Sequence, residues 1–144
     1  MKKITNLLVI AGLFILASCA KEGCTDPNSL NYDPDAKKSD GSCKFESKIT
    51  FWYGQTTAGN LVSDGVTSLT YYVDNNLVGS SAASVYFTGA PECGQSSTIG
   101  VTKDLGSNTS KTVTYKVLDQ DDQIVWEGTK TLNANTCLAL ELTY

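Results

Sequence analysis

From residue 46 to the end of the chain, apolar side chains alternate with polar ones in short runs. That period of two belongs to half-buried strands, whose successive side chains point to opposite faces. Ile49, Phe51 and Tyr53 point one way in the first run, and Leu69, Tyr71 and Val73 in the second. Asp74-Asn75-Asn76 then turns the chain, Leu77-Val78 begins the return, and Val85, Tyr86 and Phe87 form a further run. Ile99-Gly100-Val101 is short, while Val113, Tyr115 and Val117 alternate within residues 111–118. Asp119-Gln120-Asp121-Asp122 turns the chain before Ile124 and Trp126, and Leu138, Leu140 and Leu142 close the series. No helical stripe breaks the pattern. It predicts an all-β domain over residues 46–144, an antiparallel β-sandwich of seven or eight short strands. A small closed barrel is the alternative.

Residues 19–45 have a different character. Asp26-Pro27, Asp33-Pro34 and Asp40-Gly41 are turn signals, and between residues 23 and 43 only Leu30, Tyr32 and Ala36 offer apolar surface. Such a segment cannot bury a core unaided, so it is expected to be irregular and to need a covalent staple. Five cysteines occur in the chain, at 19, 24, 43, 93 and 137. With Cys19 set apart, four remain, and four permit three pairings. Locality favours Cys24 with Cys43 and Cys93 with Cys137, because each pair brackets one region. The alternative, one zinc ion on all four thiolates, lacks any C-x-x-C pair.

Cys19 is set apart because of what precedes it. Lys2 and Lys3, an apolar run from Leu7 to Ala17 interrupted only by Gly12, and Leu16-Ala17-Ser18-Cys19 follow in the order of a secretion signal. The run is too short to span a hydrocarbon core of about 30 Å. The segment resembles the lipobox of bacterial lipoproteins. That resemblance implies removal of residues 1–18, a diacylglycerol thioether on Cys19 and a third acyl chain on its amine. Ala20, where many gram-negative lipoproteins carry an inner-membrane retention Asp, implies the outer membrane. Lys21-Glu22 resembles the short charged tract of some surface-exported lipoproteins. An exported location is oxidising, which agrees with paired cysteines.

Charge and composition remove several classes of function. Residues 19–144 carry nine lysines against fifteen acids, and the whole chain has neither arginine nor histidine. An acidic surface repels nucleic acid, which needs clustered cations. Histidine-based metal sites and Ser-His or Cys-His nucleophiles cannot be built. No G-x-S-x-G, phosphate-cradling glycine loop or H-E-x-x-H occurs, and Asp121-Asp122 reads as a solvated turn rather than a glycosidase pair. No enzymatic activity is expected.

Two further likenesses concern the body of the protein. Gly-Cys-Thr-Asp-Pro, Asn-Tyr-Asp-Pro-Asp-Ala and Asp-Gly-Ser-Cys, within residues 23–43, resemble a short acidic cysteine motif of exported bacterial proteins. Tyr72-Val73-Asp74-Asn75-Asn76-Leu77-Val78-Gly79 resembles the strand–turn–strand of PEGA-type surface β-domains, departing from it at Asn75-Asn76, where glycine is commoner.

Two binding sites are candidates. Asp26, Asn31, Asp33, Asp35 and Asp40 place hard oxygens on a short loop, and Asn31-x-Asp33-x-Asp35 matches the opening of calcium loops. Ala36 stands where such loops have glycine, and the closing glutamate is missing, so turn formation is the competing role. Strand parity sends Trp52, Tyr72 and Tyr86 outward, a possible stacking platform for a glycan or a protein. The expectation is an outer-membrane-anchored lipoprotein, either an accessory or assembly subunit of a larger outer-membrane complex or an independent surface binder of glycan or protein.

Overall fold

The structure is a computed structural model, and it describes residues 20–144. The expected signal segment, residues 1–18, and the expected lipidation site, Cys19, lie outside the described residues. Seven strands follow the stapled segment: β3 (Phe45–Trp52), β4 (Ser68–Val73), β5 (Asn76–Ala82), β6 (Ile99–Gly106), β7 (Ser110–Asp119), β8 (Ile124–Asn133) and β9 (Cys137–Glu141). They form a three-stranded sheet ordered β6-β3-β9 and a four-stranded sheet ordered β5-β4-β7-β8. Neither sheet closes on itself, so the arrangement is a sandwich and not a barrel. Within the stapled segment, β1 (Glu22–Gly23) and β2 (Lys38–Ser39) make a two-residue parallel ladder amid turns.

The alternation along each strand becomes the core. Ile49, Phe51 and Tyr53 from one sheet meet Leu69, Tyr71, Val73, Val113 and Val117 from the other, all buried. Phe51 spans the gap, its ring 5.5 Å from Tyr71 and 5.9 Å from Tyr115. Asp74 and Asn75 both have positive φ, 49° and 62°, which gives the β4–β5 hairpin the twist of a type I′ turn. Asn and Asp tolerate that backbone, so the hairpin forms without glycine. Gly100 is needed for a different reason. A Cβ there would stand 2.6 Å from the Ile49 carbonyl oxygen, so β6 can lie against β3 at this level only without a side chain.

Three features depart from the sequence expectation. First, β3 and β9 pair in parallel, so the smaller sheet is mixed. Second, a helix, α1 (Gln55–Ser63), joins β3 to β4. Its buried side is only Thr57, Ala58 and Leu61, too narrow to register as a stripe. It ends in a Schellman motif: Val66 N–H donates to the Leu61 carbonyl and Gly65 N–H to that of Val62, with Gly65 at φ 84°. Third, Val85, Tyr86 and Phe87 form no strand, and Val85 and Tyr86 are both exposed. Both edges of β3 are already occupied, by β6 and β9, so this run finds no ladder beside it. It crosses the end of β3 with one bond, from Phe87 N–H to the Tyr53 carbonyl.

Burial pushes the Tyr71 phenol well above its usual ionisation range, opposed by its hydrogen bond with Ser81. Burial also raises Tyr53. In the unfolded chain both ionise near pH 10. Because the folded values lie higher, their contribution is complete below about pH 10 and is lost as pH rises towards the folded values. The melting temperature is therefore expected to fall above about pH 10, and less steeply in Tyr71→Phe. Equal slopes for the two proteins in alkaline melting curves would refute this.

Candidate functional site

The stapled segment defines one end of the sandwich. The Cys24–Cys43 bridge closes it, Cys43 packs against the core, and Phe45 begins β3 directly after it. Asn31 holds its turns by donating to the Ser42 carbonyl and accepting from Lys44 N–H. Asn135, in the β8–β9 turn, donates through Nδ2 to the Asn28 carbonyl at 2.6 Å and through its backbone N–H to the Glu46 carbonyl. Segment and sandwich are thus joined by covalent chain, packing and hydrogen bonds. From this near end β3 and β9 run in the same direction, towards a far end made of α1, the β7–β8 turn and the residues after β9.

The far end is itself tied together. Tyr144 Oη donates to Asp64 at 2.6 Å, Trp126 Nε1 donates to the Thr143 carbonyl at 2.8 Å, and Gln120 accepts from Thr67 N–H while donating to the Gly65 carbonyl. Tyr53, Trp126 and Tyr144 lie in series, the first pair tilted with ring centres 5.9 Å apart and the second edge to face at 6.2 Å. Among the described residues, the exposed large hydrophobics are Val62, Val85, Tyr86, Ile124 and Tyr144 here, Leu30 and Tyr32 in the stapled segment, and Leu77 at the β4–β5 hairpin. Asp64, Asp119, Asp121, Asp122 and Glu141 also lie at the far end, where residues 53–67, 118–126 and 140–144 contain no lysine. Apolar side chains ringed by charge of one sign suit docking onto another surface. Sequence parity missed this grouping, because it depends on which turns and termini come together.

The three outward aromatics do not share one face. Trp52 lies half-buried on the outer face of the three-stranded sheet, beside Val85 and Phe87, and its Nε1–H has no partner among the described residues. Tyr72 lies on the outer face of the four-stranded sheet, opposite, with Lys116 Nζ 5.6 Å from its ring centre. Tyr86 is exposed in the crossing segment. The alternating pattern predicted outwardness along each strand; it carried no information on which sheet each strand joined.

The calcium candidates are occupied with turn formation. Asp26 Oδ1 accepts from the Asn28 backbone, Asp33 Oδ1 from that of Asp35, and Asp40 Oδ1 from that of Ser42. Lys21 Nζ lies 2.7 Å from Asp33 Oδ2 and also reaches Asp35. Its hydrogen bond holds Asp33 below the ordinary carboxylate range, and hydrogen bonds from Ser42 do the same for Asp40. No group of three acidic, cysteine or histidine side chains among the described residues is gathered to hold a metal. Calcium at millimolar concentration is expected to leave the melting temperature unchanged; a rise would restore the site.

The second bridge, Cys93–Cys137, borders a surface groove of about 520 Å³ lined by Glu46, Lys48, Pro91, Glu92, Asn135 and Ala139 among others. A smaller hollow of about 280 Å³ shares Lys48 and Cys93 with it. The one hydroxyl lining the groove from β3, that of Ser47, is buried and donates to the Thr136 carbonyl at 3.0 Å. No described helix is long and apolar enough to cross a membrane.

Comparison with known proteins adds little. No family model matches the chain, and no solved structure matches it. Ribulose bisphosphate carboxylase/oxygenase activase 1, chloroplastic, of Larrea tridentata is 60% identical over 25 residues, 17% of this chain and 5% of that protein. The chain thus spans about a twentieth of that relative's length, too little to carry fold or function.

Proposed function

We propose that this chain is a lipid-anchored outer-membrane protein, a non-enzymatic accessory or assembly subunit whose far end docks on a larger outer-membrane complex. The observation that carries the reading is the polarity of the body. The stapled segment that follows Cys19 sits at the near end, and Val62, Ile124 and Tyr144, all exposed, lie at the opposite end with five acids, where the contributing stretches contain no lysine. A protein acylated at Cys19 has no long flexible linker between lipid and sandwich, because the stapled segment fills that interval and is joined to β3 and Asn135. Two or three acyl chains hold such a body permanently, since each buried methylene contributes about 0.8 kcal/mol. Its far end then faces away from the bilayer, where a partner with an apolar centre and a basic rim finds complementary chemistry.

The test uses the full chain in its producing cell. Labelled palmitate is expected to enter the wild type and not Cys19→Ala. Purification in mild detergent is expected to recover a stoichiometric membrane partner, and Val62→Asp with Ile124→Asp to lose it while remaining folded and lipidated. A lipidated monomer that carries no partner and binds a glycan array overturns the subunit reading in favour of an independent surface binder. No label on the wild type overturns the anchor.

A further inference from the structure

Two of the exposed large hydrophobic side chains sit in the stapled segment rather than in the sandwich: Leu30 at 60% and Tyr32 at 43% exposure. They are held outward by their backbone. Leu30 N–H donates to the Lys44 carbonyl, Tyr32 bridges to Cys24, and Asp33 N–H donates to the Cys24 carbonyl, while Cys24 is tied to Cys43. Neither side chain can fold back into a core, because the segment has none beyond the buried Cys24. A loop that spends its few large apolar residues on the surface, and rigidifies them there, has a use for them outside itself.

The place of the segment in the chain indicates what covers them. Cys19 is one residue from Ala20, within 3.8 Å from Cα to Cα. Lys21, the next residue, forms its ion pair with Asp33, the neighbour of Tyr32. The loop carrying Tyr32 is therefore about one lysine side chain away from the attachment point of the lipid. Lys37 and Lys44 belong to the same segment and enter no ion pair among the described residues, so their ammonium groups are free for headgroup phosphates. Tyrosine is suited to the interface, where its ring is buried and its hydroxyl stays wet.

We infer that Leu30 and Tyr32 seat the stapled segment in the headgroup layer of the membrane to which Cys19 is attached, so that the sandwich stands on the bilayer and is not merely leashed to it. The inference rests on the anchored reading above. Two side chains would not bind a bilayer from solution. Tethering changes that, because the second contact becomes intramolecular at an effective concentration of millimolar order.

The experiment uses the full lipidated protein in phosphatidylcholine nanodiscs, a fraction of whose lipids chelate gadolinium. Amide and Tyr32 ring signals of residues 29–32 are expected to be lost to paramagnetic broadening, while those of Tyr86 and Ile124 at the far end persist. Leu30→Ser with Tyr32→Ser, both at exposed positions and with the bridge intact, should restore the signals of residues 29–32 and still co-purify with the discs. Wild-type protein that co-purifies with discs but shows residues 29–32 no more broadened than Tyr86 overturns the seat and leaves the anchor standing. Protein that does not stay with the discs overturns the anchor, and the seat with it.

Discussion

Serine at both Cys93 and Cys137 is expected to lower the stability of the domain by about 4 kcal/mol in the chain-entropy account. The bridge closes a separation of 44 residues, which contains β6, β7 and β8 complete. It also fastens the crossing segment, residues 83–98, to the first residue of β9. The start of that segment is held by buried Ala83, whose N–H donates to the Thr67 carbonyl and whose carbonyl accepts from Tyr53 Oη, and by Phe87 N–H on the Tyr53 carbonyl; beyond residue 87 the backbone bonds are short turns such as Gln95 N–H on the Glu92 carbonyl. Urea denaturation read by tryptophan fluorescence should show the midpoint falling, and amide exchange should quicken first in residues 88–97 and β9. A change under about 1 kcal/mol would mean that the unfolded chain is already restricted and the entropy account does not apply.

Leu61→Ala is expected to cost roughly 2–5 kcal/mol, as for other fully buried leucines truncated to alanine. Leu61 is 0% exposed and is the largest of the three residues by which α1 reaches the core. Its carbonyl also accepts from Val66 N–H in the motif that ends the helix, with Val66 buried beside it. The helix has no side-chain cap at Gly54 and no acid in its first turn, so tertiary contact supplies most of its stability. Thermal unfolding followed by circular dichroism should show the midpoint drop by many degrees. A loss no greater than that of exposed Val62→Ala would show that α1 is not docked through Leu61.

These two sites differ in how far they could be read in advance. The pairing of Cys93 with Cys137 followed from counting and locality, because covalent partners are drawn from a set of four. Helix α1 did not follow, although Asp64-Gly65 is a readable stop. Its buried face holds one large residue, and a pattern needs repetition before it separates from loop. The run Val85, Tyr86 and Phe87 failed in the opposite sense. It alternates as a strand should, yet a strand needs a free neighbour, and β3 had none. Asp26, Asn31, Asp33, Asp35 and Asp40 illustrate a third case: oxygen-rich spacing describes turn formers and metal ligands equally, and donors from Asn28, Asp35, Ser42, Lys44 and Lys21 show the turn-forming role, while the calcium titration decides the other.

The residues alone determined the all-β class, the faces of most strands and the stapled segment, because these depend on local periodicity and turn chemistry, and they narrowed the cysteine pairing to three choices of which locality favoured the one found. They also determined what the chain has no means to build, through the lack of histidine and arginine. Tertiary structure decided the rest. The parallel pairing of β3 with β9 gives the sandwich a near end and a far end, and it is a contact between residues about ninety apart, Ile49 with Leu138. Strand membership put Trp52 and Tyr72 on opposite faces, although their alternation is alike. Proximity across turns gathered Val62, Ile124 and Tyr144 at one end and left Leu30 and Tyr32 beside the start of the described chain. Period two says which side of a strand faces water; only the order of strands in space says what that side has next to it.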